Sequence, residues 1–106
     1  MKKIFISMPM MDKTQEEINR EQERLLMLAC EYLKEAVSQI DTYLGVHQYT
    51  PLECLGESIK RMSEADCVIF SDCWENARGC RIEYACARDY GKKILLEHGG
   101  QLQEVH

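Results

Sequence analysis

From Trp74 to Tyr84 the chain reads WENARGCRIEY, directly after the apolar run ADCVIFSDC. Glu83 is the residue of this stretch with chemistry to offer. Side chains early in a helix tilt back toward its N-terminus, so a carboxylate about one turn in reaches the space above the preceding strand. There it is aimed at a ligand bound at the end of the strand. Trp74 offers a flat surface for stacking on a base, and Gly79 allows a ligand close to the backbone. Arg78 and Arg81, at a helix start, are suited to a phosphate. Each residue also has a plainer role: Glu83 as a surface group complementing the helix dipole, Trp74 as core or lid, the arginines as solvated helix residues.

These residues need an element order that brings them to one place. Lys3 to Ser7 is a short apolar run ended by the loop SMPMMDK, which predicts a buried strand and the turn after it. Thr14 and Glu17 form a T-x-x-E capping box, and Ile18, Leu25, Ala29, Tyr32, Leu33 and Ala36 recur at helical spacing, predicting a helix to about Val37. Ile40 to Leu44 is the candidate second strand, and residues 45–49 are read as loop. Thr50, Pro51 and Glu53 give an N-cap, a proline at the first helical position and a second capping box. Cys67 to Phe70 is a run of strand formers without polar alternation, as a central parallel strand requires. From about Ala77 a helix runs to Gly91, and KKILLE is the last strand. The order β-α-β-α-β-α-β implies a parallel sheet with right-handed crossovers, a small doubly wound α/β domain. In such sheets ligands bind outside the carboxyl ends of the strands, here between the loops SMPMMD and SDCWENARG.

Composition sets the outer bounds. A chain of 106 residues makes one domain with one core, spanning residues 1–106. With 13 Lys and Arg against 18 Asp and Glu, a formal charge of -5, and no basic stripe, duplex nucleic acid is excluded as the expected partner. No apolar segment nears the roughly 20 residues that span a bilayer, and MKKIFISMPM breaks too early for a signal core, so no membrane partner and a cytoplasmic location are expected. The six cysteines contain no C-x-x-C pair, which argues against a metal site. Cys30, Cys67 and Cys86 are read as small core hydrophobes. There is no G-x-G-x-x-G and no P-loop, so no cofactor is implied.

The segments KIFISMPM, SEADCVIF and CWENARGCRIEYACARDYGKKIL together resemble the nucleoside 2-deoxyribosyltransferase-like superfamily, especially small bacterial and phage members with a G-W-E-x-S-x-G-A-x-x-E pattern. The likeness covers the first strand and most of Gly56 to Leu96. It implies a flavodoxin-like fold and chemistry at the N-glycosidic bond of a nucleoside or nucleotide, by transfer or hydrolysis. It makes Glu83 the nucleophile. Trp74 and Asn76 would contact base or sugar, while Ser7, Met8 and Pro9 would line the sugar pocket. Arg78 or Arg81 would hold a phosphate. It also implies a homodimer or higher homo-oligomer.

Three family positions are altered. The tyrosine on the first strand that orients the nucleophile matches Phe5, the aspartate on the second helix matches Ser58, and the serine or aspartate six residues before the nucleophile matches Ala77. Ser58 keeps a hydroxyl for a ligand, but not a carboxyl to protonate a leaving base. Two main functions therefore stand, an N-glycosidase or deoxyribosyltransferase-like enzyme and a non-catalytic module that captures a nucleotide or nucleotide-derived signal, beside a plainer third, an oligomeric structural protein with a vestigial pocket.

Overall fold

A computed structural model describes residues 1–41 and 50–105. Helix α1 (Gln15–Leu33) and helix α2 (Pro51–Met62) start at the two threonines. In each, the threonine side chain accepts the N–H three residues on, and the glutamate there returns the bond, so two orphan donors are satisfied reciprocally. Strands β1 (Lys2–Ser7), β2 (Val37–Gln39), β3 (Cys67–Phe70), β4 (Lys93–His98) and β5 (Gln101–Val105), with helix α3 (Arg78–Asp89), complete the order. The sheet runs β2-β1-β3-β4-β5, parallel except for β5, which lies antiparallel on β4. The described residues thus form a single α/β domain with a five-stranded, mostly parallel sheet and three α-helices.

The period of two along β1 distributes the core. Ile4 and Ile6 pack with Leu25 and Ala29 of α1, while Phe5 packs with Met62 of α2 and Ala87 of α3. Helices therefore cover both faces, and β3, buried at all four residues, needs no polar alternation. Each fully buried Ile, Leu or Phe contributes about 1.5–3 kcal/mol of transfer free energy. Asp66 closes the start of the β1–β3 ladder, exchanging bonds with Lys3 through its carboxylate and its own N–H, each at 2.8 Å. No helix among the described residues is long and apolar enough to cross a membrane.

Several expectations need correction. Helix α1 stops at Leu33 instead of about Val37, because Lys34 takes a left-handed conformation (φ 57°) and its N–H bonds the Cys30 carbonyl. Val37 then opens β2 opposite Lys2. The second strand is accordingly Val37–Gln39, earlier than the expected Ile40–Leu44; residues 42–44 and the expected loop at 45–49 lie outside the described residues. Strand β5 was not expected at all. Cys67 is buried, but Cys86 is only partly covered and Cys30 is exposed, since α1 turns that side to solvent; all six thiols are free.

At the far end of β4, Glu97 is only 3% exposed. It accepts Arg24 from α1 at 3.0 Å and the Asp72 N–H at 3.0 Å, and the Asp72 carboxylate accepts the Gly99 N–H. The Arg24 guanidinium holds the Glu97 carboxyl below the usual range, outweighing the burial that pushes it up. This network pins the start of the loop after β3.

Candidate functional site

β1 and β3 are neighbours whose last residues, Ser7 and Phe70, lie in register. The chain leaves them in loops that part to reach helices on opposite faces, and above the strand ends a cavity of about 980 Å³ opens. Its walls come from the loop after β1, the first turns of α1 and α2, and residues Asn76 to Glu83. A volume of this order accommodates a nucleotide-sized molecule.

Glu83 lies in the second turn of α3 and is 8% exposed. That closes the surface-helix alternative: the carboxylate faces inward. Ser7, at the last position of β1 and itself buried, donates its hydroxyl to Glu83 Oε1 at 2.7 Å. This is the carboxylate's one protein hydrogen bond among the described residues, and no buried side-chain oxygen there lacks a partner. Oε2 therefore opens to the cavity that Glu83 lines. Burial pushes the Glu83 carboxyl up to about 7, and the Ser7 hydroxyl partly opposes the rise. One turn earlier Cys80 is also buried, and burial raises its thiol while a hydrogen bond with Ser7 lowers it.

Of the residues expected at the site, Ser7, Met8, Pro9, Ser58, Asn76, Arg78, Gly79, Arg81 and Glu83 line this one cavity, as do Phe5 and Ala77 at altered positions. Trp74 does not. Its indole stacks on Tyr84 with ring centroids 4.5 Å apart and leans on Phe70 at 5.5 Å, so its flat surface is taken up in bracing the loop against α3. The arginines differ too. Arg81 donates to the Glu75 carbonyl at 2.7 Å, holding the 3₁₀ turn at Trp74–Asn76, whereas Arg78 is exposed and has no protein partner among the described residues.

Sequence reasoning passed over part of the wall. Lys13 reaches the cavity from just ahead of α1, Gln15, Asn19 and Gln22 from its first turns, Asp41 from beyond β2, and Cys54 and Leu55 from α2. A signal existed for the first group: Gln15, Asn19 and Gln22 recur at helical spacing beside Ile18, which packs on the core. Among the described residues, no three His, Cys, Asp or Glu side chains gather as a metal site. The arrangement offers a carboxylate whose burial pushes its titration up from the usual range, one oxygen anchored and one open, in a cavity with cations at its rim. Neither a family model, nor a curated protein, nor a solved structure matches the chain.

Proposed function

We propose that the cavity binds a nucleoside or nucleotide and that Glu83 acts at its N-glycosidic bond. The observation that carries this is Glu83 itself, a buried carboxylate that lines the cavity, anchored through one oxygen and open at the other. Oε2 would bond to the anomeric carbon as the bond to the base nitrogen breaks, the electron pair leaving with the base, which takes a proton from solvent water. Water or a second base would then release the sugar from the enzyme, giving hydrolysis or transfer. The strand order β2-β1-β3-β4 with helices on both faces supports a flavodoxin-like, doubly wound fold. Its switch point, between β1 and β3, is where such folds bind ligands.

Ser58 lines the cavity but bears no carboxyl. Losing general acid catalysis typically forfeits about 10²- to 10⁴-fold in rate, so turnover should be slow. The same feature, together with the Phe5 ring in place of a hydroxyl, favours the second function, capture of a nucleotide without turnover. The deciding experiment incubates the protein with a panel of nucleosides and 5'-nucleotides, measuring free base and thermal stabilisation in parallel. Base release establishes the enzyme; stabilisation without release selects the binding module; neither with any member removes both.

A phosphate on the ligand would fall to Arg78, because Arg81 is engaged by the Glu75 carbonyl. Arg78→Ala is expected to weaken 5'-nucleotide binding by about 1.5–3 kcal/mol, the range for a hydrogen bond to a charged group, and to leave the parent nucleoside unaffected. Calorimetric titration of both ligands checks it. Unchanged nucleotide affinity would assign Arg78 to solvent.

A further inference from the structure

We infer that Ser7 is the positioning residue for Glu83: its hydroxyl ties Oε1 to the end of β1 and so leaves Oε2 as the oxygen that meets the ligand. The role rests on the proposed chemistry only in what that ligand is; the anchoring itself belongs to the free protein. The period of two along β1 puts Phe5 and Ser7 on the same side of the strand, toward α2 and α3. A hydroxyl absent at Phe5 is thus supplied two residues further on, at the strand's last position, where it meets the second turn of α3.

The geometry allows little else to hold the carboxylate. Ser7 is 2% exposed and Glu83 8%, so neither side chain has bulk water as an alternative partner on the bonded side. Ser7 has a single proton to give, and the 2.7 Å contact assigns it to Glu83. The other titratable groups lining the cavity are Lys13 ahead of α1, Asp41 beyond β2, Cys54 on α2, and Arg78, Cys80 and Arg81 on α3. Burial raises the Glu83 carboxyl and the Ser7 hydroxyl lowers it.

The test is the ¹³C NMR titration of the Glu83 side-chain carboxyl in ligand-free Ser7→Ala, Ser7→Thr and wild type, followed by base-release kinetics across pH. Ser7→Ala should raise the Glu83 midpoint by about one pH unit or more, the size of a hydrogen bond to a charged group. Ser7→Thr, which keeps the hydroxyl and suits a strand, should leave the midpoint near that of wild type. In the kinetics, the Ala variant should lose kcat with little change in KM, and its acidic limb should move up with the midpoint. A Glu83 midpoint within a few tenths of a unit in Ser7→Ala, or an equal shift in Ser7→Thr, overturns the inference. Should the Ala variant not fold, Ser7→Cys, a weaker donor of similar size, takes its place and must raise the midpoint in the same direction. If the midpoints shift as expected while no protein releases base, Ser7 positions Glu83 and the glycosidic chemistry alone falls.

Discussion

Glu83→Gln is expected to abolish base release, by on the order of 10⁴-fold or more, while the protein stays folded, because losing the nucleophile removes the covalent step itself. The substitution preserves size and helix propensity, and the amide oxygen can still accept the Ser7 hydroxyl that now binds Oε1. What disappears is the negative charge that stabilises an oxocarbenium-like transition state and the lone pair that bonds to the sugar. The measurement is base release at saturating substrate, with circular dichroism confirming that both proteins are folded. Retained turnover in a folded variant eliminates Glu83 as nucleophile. No turnover in either protein, with tighter nucleotide binding by the variant, would place Glu83 beside the ligand as an anionic neighbour and the protein among binders.

The same substitution is expected to stabilise the protein at high pH. Burial raises the Glu83 carboxyl from 4.5 to about 7, so between those values the native state holds more proton than the unfolded chain, and stability falls as pH rises. The contribution is fully present below 4.5 and is lost by the time pH passes about 7; the interval corresponds to about 3 kcal/mol. Glu97 has the opposite sign: Arg24 holds its carboxyl low, so its stabilisation is present above the unfolded value and lost as acid protonates it. Between pH 4.5 and 7 the Glu83 effect therefore stands largely clear of Glu97. Urea unfolding at pH 5 and pH 8 should show wild type and Glu83→Gln close together at the lower pH and the variant ahead by about 3 kcal/mol at the higher. An equal gap at both would mean that Glu83 bears its charge in folded and unfolded protein alike.

What the sequence made legible was local. Two threonines with glutamate three residues on announce two helix starts, and the structure has both capping boxes. The end of α1 was not legible, because a left-handed Lys34 carries no residue signal as glycine would, and the apolar Ala36 and Val37 continue the helical spacing by coincidence. The β4–β5 hairpin had a signal that went unused: Gly99 and Gly100, both at positive φ, followed by QLQEV. Trp74 shows what residue type cannot tell, since an indole suited to a ligand is equally suited to Tyr84. Glu83 could be placed near the strand ends by its helix position, but its tie to Ser7 crosses 76 residues of chain and needs the sheet register to appear. Glu97 looked like part of an apolar strand, and the arginine that neutralises it is on another element.

The hairpin has a consequence for keeping molecules apart. With Ile94 and Leu95 buried, β4 would be a six-residue strand with an apolar centre and one whole row of backbone groups unpaired if it were outermost, a template onto which another chain could add itself. Strand β5 occupies that row from Ile94 to His98. It replaces a sticky border with QLQEV, polar at three of five positions and carrying a carboxylate that pairs with Lys93. At the opposite border β2 is only three residues long. Among the described residues the sheet thus ends on one side in a strand too short to recruit a neighbour and on the other in one too polar to invite it, a defence against aggregation placed at both borders.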